Sequence, residues 1–149
     1  EGTYNLAGGF VVNEPGLTII LEDGAVIQND SPCFIVHASN TTIKAETPGG
    51  AKCVPTKGSN GIDVAADLSG IRIINLEIDG TGQTTGDGIH FAGAVTDFQI
   101  VDNYIHDLGG DGVEFAGVVA GDTQEIQGNL FRNTGLAINA GSNRNTRRM

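Results

Sequence analysis

The sequence predicts an all-β protein, a solenoid of stacked coils with the form of a parallel β-helix: about six coils with three short sheets. Three observations carry this. A strand-like triplet recurs along the chain, further strand positions follow it at near-constant offsets, and the intervening segments are too short for a crossover helix. The triplets are Phe10-Val11-Val12, Phe34-Ile35-Val36, Ile62-Asp63-Val64, Ile89-His90-Phe91, Val113-Glu114-Phe115 and Leu136-Ala137-Ile138, spaced by 24, 28, 27, 24 and 23 residues. A repeat of that length in a strand-type pattern marks a solenoid, in which each coil buries its apolar face only by stacking on its neighbours.

Each triplet reads as a first strand with its outer two residues inward and its middle residue outward. Nine residues after the anchor comes a second strand, with Ile19, Ile43, Ile71 and Phe98 inward, followed two residues later by Leu21, Ala45, Ile73 and Ile100. A third strand is expected in three coils, at Leu76-Glu77-Ile78, Asn103-Tyr104-Ile105 and Asn129-Leu130-Phe131. Turn formers separate them, as at Glu14-Pro15-Gly16, Ser39-Asn40-Thr41, Asp67-Leu68-Ser69-Gly70 and Asp107-Leu108-Gly109-Gly110. Glu46 to Lys57, with Pro48 and Pro55, reads as a longer excursion, and Val118 to Asp122 as an insertion of about two residues. Asn103 and Asn129 fall at equivalent inward positions. A buried amide is costly unless bonded, so each either stacks on its neighbour along the coil axis or closes its own turn.

The organisation expected is a single β-helix domain over residues 1–140 and a polar basic tail over 141–149, frayed or cut short. Four of the eight Lys and Arg residues lie in the last 18 positions. With no initiator Met and no basic-then-apolar leader, the chain reads as a processed product or a piece of a longer protein. Cys33 and Cys53 permit one disulfide in an exported protein or two buried thiols. The formal charge of −10 disfavours nucleic acid, anionic lipid and polyanionic sugars, and no apolar run is long enough to cross a bilayer.

Stacking in register converts equivalent positions into columns with a rise of about 4.8 Å. The outward column of the first strand is Val11, Ile35, Asp63, His90, Glu114, Ala137. The column two residues before the anchor is Gly8, Pro32, Asn60, Asp87, Asp111, Thr134. Asp63, Asp87, His90, Asp111 and Glu114 therefore form the candidate catalytic patch. Asp63 and Glu114, two coils apart, suit the wider carboxyl spacing of an inverting glycosidase. Asp87 and Asp111, one coil apart, are placed to share a proton or a divalent ion, and Asp87, Asp111 and Glu114 form a candidate Ca²⁺ site. His90 between two acids is placed to act as a proton donor. The same residues also suit plain turn chemistry and an exposed charged ladder. A lyase fits less well, because Lys44 and Arg72 belong to the second sheet, away from these acids. His37 and His106 stand apart from any metal spacing, His106-Asp107 reading as a turn pair.

The phrases Gly2-Thr3-Tyr4-Asn5-Leu6, Gly16-Leu17-Thr18-Ile19-Ile20-Leu21, Asp87-Gly88-Ile89-His90-Phe91 and Asp111-Gly112-Val113-Glu114-Phe115 resemble the right-handed parallel β-helix repeats of the pectin-lyase-like superfamily. The resemblance covers roughly residues 2–140 and implies a right-handed coil whose first sheet carries a sugar cleft. That superfamily includes lyases, hydrolases, epimerases, tailspikes and surface proteins, so the fold alone does not choose an activity. The expected function is an exported or cell-surface domain that binds a polysaccharide on the acidic face and, if an enzyme, hydrolyses it. The alternative is a non-catalytic scaffold or adhesin-like stalk. Tyr4 and Tyr104 are the candidate sugar-stacking residues. The outward Val11 and Ile35, together with two uncapped ends, anticipate end-to-end or side-by-side self-association.

Overall fold

Short strands rich in Ile, Val and Phe, each punctuated by Gly, Asn or Asp, coil into a parallel β-solenoid. The structure is a computed structural model and describes residues 2–5 and 8–140. Strand β1 (Thr3–Asn5) leads into five complete turns. These are β2 (Phe10–Val12), β3 (Thr18–Leu21) and β4 (Val26–Asn29); β5 (Phe34–Val36), β6 (Thr42–Ala45) and β7 (Ala51–Pro55); and β8 (Ile62–Val64), β9 (Leu68–Ser69), β10 (Arg72–Ile74) and β11 (Leu76–Asp79). They continue with β12 (Ile89–Phe91), β13 (Val95–Val101) and β14 (Tyr104–His106), then β15 (Val113–Phe115), β16 (Val119–Gln127) and β17 (Leu130–Arg132), and β18 (Ile138–Asn139) opens a sixth turn. Among the described residues there is no helix, and so none long and apolar enough to cross a membrane.

Three parallel sheets result. The first runs β2-β5-β8-β12-β15-β18, the second β3-β6-β10-β13-β16 with β9 also on β13, and the third β1-β4-β7-β11-β14-β17. Inward residues stack into one continuous core that includes Phe34, Ile62, Ile89 and Val113 from the first sheet, Ile43, Ile73 and Ile100 from the second, and Ile78 and Ile105 from the third. Phe91 and Phe115 stack with ring centroids 4.8 Å apart, and Phe98 packs against both. Each buried aliphatic side chain of this kind contributes roughly 1.5–3 kcal/mol.

Three devices fix the register. Gly61, Gly88 and Gly112 precede successive first-sheet strands, and a Cβ on any of them would lie 2.5 Å from a carbonyl oxygen of the next turn. Only glycine lets the turns close to stacking distance there. Cys33 is joined to Cys53 by a disulfide across the core of the second turn, closing a separation of 20 residues. Chain entropy alone makes such a link worth about 3 kcal/mol. Asn103 reconciles both readings of the buried amides. Its Nδ2 donates to Ile73 O and to Asn129 Oδ1, both at 2.9 Å, while its own Oδ1 accepts from Leu76 N–H at 2.9 Å. Asn129 repeats the pattern one turn later, accepting from Asn103 N–H and donating to Ile100 O. The amides stack and close turns at once.

Four register details differ from the expectation. Val113 pairs with Ile138 and not Leu136, so Asn139 rather than Ala137 continues the outward column. Ile43 pairs with Ile73, not Ile71, because the third turn spends extra residues around β9; Ile71 instead follows Thr41, whose hydroxyl is satisfied by Ala38 O. As a consequence Lys44 faces Ile74, and Arg72 faces Thr42 and Gln99. The segment expected as an excursion contains β7, a full third-sheet strand between β4 and β11. The insertion in the fifth turn is present: Thr96 pairs with Ala120 but Phe98 with Gln124, and Asp97 Oδ1 accepts the N–H groups of Asp122 and Thr123 freed by the bulge. The expected tail, 141–149, lies outside the described residues.

Candidate functional site

Parallel register brings the predicted patch together. Ile35 faces Asp63, Asp63 faces His90, and His90 faces Glu114 on the outer side of the first sheet, each pair contributed by neighbouring strands. His90 Nδ1 lies 2.9 Å from Asp63 Oδ1 and its Nε2 lies 3.7 Å from Glu114 Oε2. The imidazole is thus a wedge between the two carboxyl groups. All three side chains are a quarter to a third exposed, open enough to meet a ligand. The outer face begins with apolar Val11 and Ile35, the former exposed and the latter half-buried.

Asp87 and Asp111 lie beside this column in the preceding turn, and their first task is structural. Asp87 N–H donates to Asn60 Oδ1 at 2.8 Å, Asp111 N–H to Asp87 Oδ1 at 2.6 Å, and Leu136 N–H to Asp111 Oδ1 at 2.6 Å. Each side chain clamps the backbone of the next turn, a charge-assisted bond in the carboxylate cases. Asp111 commits its second oxygen to Asn139 Nδ2 at 2.8 Å. Asn60 also steadies the patch, donating to Asp63 Oδ1 at 2.8 Å. Asp87 meets Asp111 through the Asp111 backbone, its Oδ1 accepting that N–H. The Glu114 carboxyl is held above its ordinary value of 4.5, first by a hydrogen bond with the Asp87 carboxyl, then by burial and the Asp87 charge, against the opposing pull of His90. No lysine or arginine stands in either column.

The sequence reading missed a second cluster, on the outer face of the third sheet. His106 is buried, with Nδ1 2.7 Å from Asp107 Oδ2 and Nε2 3.0 Å from Glu77 Oε1. Lys52 Nζ bridges Glu77 Oε1 at 2.7 Å and Asp79 Oδ2 at 3.2 Å, and Tyr104 stacks on the His106 ring with centroids 4.1 Å apart. Glu77 holds the Lys52 ammonium above its ordinary value, burial opposing and Asp79 assisting. For Asp79, burial pushes upward most, but the Thr81 hydroxyl and N–H, Lys52 and His106 together hold the carboxyl below its ordinary range. His106 and then Asn133 do the same for Asp107.

Among the described residues, Glu77, Asp79 and His106 are the trio whose ligand atoms converge within 4.8 Å. The Lys52 ammonium already supplies the cation between the two acids. The candidate Ca²⁺ residues Asp87, Asp111 and Glu114 do not form such a trio, because Asp111 points its oxygens at the following turn. On the second sheet Arg72 Nε donates to Gln99 Oε1 and Gln99 Nε2 to Glu125 Oε2, a surface ladder apart from the acids. His37 Nδ1 lies 3.2 Å from Asn13 Oδ1. Both tyrosines belong to the third sheet, so neither flanks the first-sheet face.

No family model, no curated protein and no solved structure matches this chain.

Proposed function

We propose that this chain is an exported β-solenoid domain of the pectin-lyase-like type that binds a neutral polysaccharide across the Asp63–His90–Glu114 face. The observation that carries the reading is an outward ladder of acids with no Lys or Arg beside it among the described residues and with one carboxyl, Glu114, held above its ordinary value. Carboxylate oxygens accept hydrogen bonds from sugar hydroxyls. A charge-balanced face would have spent that capacity internally. The net charge of −10 directs the choice to an uncharged glycan. Export is supported by the Cys33–Cys53 disulfide, which persists in oxidising compartments.

Hydrolysis is the second reading, and a specific observation favours it: the Glu114 carboxyl, held above its ordinary value beside Asp87, is the candidate proton donor. The His90 wedge occupies the space between Asp63 and Glu114, so the acid–base pair is Glu114 with Asp87 rather than Glu114 with Asp63.

Affinity electrophoresis against neutral polysaccharides tests binding, with reducing-end release measured on the same panel. The expected result is retardation by at least one neutral glycan, lost in Asp63→Asn and weakened about tenfold in Glu114→Ala, the loss of one hydrogen bond. Retardation that is identical in both variants, or absent throughout, overturns the reading in favour of a non-binding scaffold. Sugar release by the wild type that vanishes in Asp87→Asn and Glu114→Gln establishes hydrolysis.

A further inference from the structure

Two tripeptides of this chain have the form Asn-x-Ser/Thr, Asn29-Asp30-Ser31 and Asn40-Thr41-Thr42. In an exported protein that pattern marks an acceptor for N-linked sugar, provided the Asn stands on the surface. The fold separates the two. Asn29 ends β4 and is only 6% exposed. Its Nδ2 donates to Ser31 Oγ at 2.8 Å and to Pro32 O at 3.3 Å, so the amide and the hydroxyl of that tripeptide are bound to one another inside the turn.

Asn40 is arranged in the opposite way. It lies exposed in the turn between β5 and β6, at the corner where the first sheet passes to the second. The register of Thr18, Thr42 and Arg72 puts Gly16, Asn40 and Gly70 at that corner in successive turns, and all three have positive φ, 78°, 58° and 69°. Asn is one of the few residues besides Gly that adopt this conformation. Its backbone N–H donates to Ser69 O at 2.8 Å, which fixes the main chain. The Asn40 amide oxygen faces Gly70, where a Cβ would stand 2.4 Å from it. The amide nitrogen has no hydrogen-bond partner among the described residues. Thr41 turns inward with its hydroxyl on Ala38 O at 2.8 Å, whereas Thr42 begins β6 half-buried on the outer face.

We propose that Asn40 is the acceptor of an N-linked oligosaccharide, with Thr42 supplying the hydroxyl that the transferase reads. The donor is an oligosaccharide carried on a lipid diphosphate. Asn40 Nδ2 forms a bond to the anomeric carbon as the bond from that carbon to the diphosphate oxygen breaks. One amide proton passes to solvent, the lipid diphosphate leaves, and nothing is oxidised or reduced. The proposal rests on the export reading above, because donor and transferase belong to the secretory route. No core contact is disturbed, since the side chain that carries the sugar is already in water.

The test is secretion of the 149-residue chain from a eukaryotic cell behind a cleavable leader, with peptide mass mapping before and after enzymatic removal of N-linked sugar. The leader supplies export, so a failed acceptor is told apart from a failed export reading, and glycan binding by the outer face plays no part in the readout. The wild type is expected to lose mass on enzyme treatment, with Asn40 converted to aspartate and Asn29 unchanged. Thr42→Ala and Asn40→Asp are each expected to be secreted without the sugar. The second keeps the turn, because Asp67 and Asp107 of this chain hold the same positive φ. Thr42→Ser is expected to retain the sugar and Ser31→Ala to leave it unchanged, with far-UV circular dichroism checking the fold of each variant. A secreted wild type that carries no sugar overturns the proposal and leaves Asn40 as a turn residue alone. Sugar found on Asn29, or sugar that survives Thr42→Ala, overturns it equally.

Discussion

Two histidines, one on the outer face of the first sheet and one on that of the third, each stand between two acids, yet their surroundings differ in charge balance. Around His106, the three acids Glu77, Asp79 and Asp107 meet Lys52 as well as the imidazole, and the ring is buried. Around His90, the acids Asp63, Asp87 and Glu114 have no further cation among the described residues, the ring is a quarter exposed, and the Glu114 carboxyl is held above its ordinary value. The first cluster has used its polar capacity to hold three turns together. Among the described residues, the second has only the imidazole to answer its acids. Counting acids and histidines does not separate a structural cluster from a candidate binding face; counting the cations that answer them does.

The largest effect expected from this contrast is on stability. His106→Ala removes a buried ring that two carboxylates and Tyr104 contact, and should cost about 2–4 kcal/mol in urea unfolding. His90→Ala on the exposed face should cost under about 1 kcal/mol. Equal costs would dissolve the distinction.

Next is Asp111→Ala, which strips a charge-assisted clamp from Leu136 N–H and Asn139 and should cost about 1–2 kcal/mol. A cost near zero would return Asp111 to the list of groups available for a ligand.

The third effect depends on pH. Asp79 has a folded-state value below its ordinary 3.8, so its contribution is fully present above that ordinary value and disappears as pH falls through the folded one. Asp79→Asn should therefore destabilise by about 1 kcal/mol at pH 7 and by much less near pH 2.5, measured as paired thermal melts. A cost that is independent of pH would assign Asp79 a packing role instead.

The smallest effect has the opposite sign. Glu114 is raised in the folded state, so below its ordinary value of 4.5 it carries no penalty, and stability is lost as pH rises through the folded value. Glu114→Gln should stabilise at pH 7 by less than about 1 kcal/mol, modest because the group is partly exposed, and the gain should vanish below pH 4. A loss of stability at pH 7 would show that the Glu114 carboxyl is not opposed by Asp87.

The open face was legible in the sequence because its geometry follows from one strand type. Asp63, His90 and Glu114 each occupy the middle of an apolar triplet, and the glycines before Ile62, Ile89 and Val113 mark where turns must approach closely. The closed cluster was not legible, and the reason is local. Lys52 belongs to β7, whose neighbourhood of Pro48, Gly49, Gly50 and Pro55 has the composition of a loop. Without that strand Lys52 had no column, and Glu77, Asp79 and His106 lacked the cation that organises them. The sixth triplet slipped by two residues for a related reason: Leu136 has the character of an anchor, but it occupies the turn position that Asp87 and Asp111 fill earlier, and its side chain is exposed. Hydrophobic periodicity locates inward positions within a strand; it does not measure the length of the turn before it.

The most direct test of the central claim is residue-resolved: amide chemical shifts of the labelled protein titrated with neutral oligosaccharides. The account predicts progressive shifts confined to Asp63, His90, Glu114 and the adjoining Asp87 turn, with Glu77, Asp79 and His106 unmoved. Shifts centred on the third-sheet cluster, or no shifts with any neutral sugar, would contradict it.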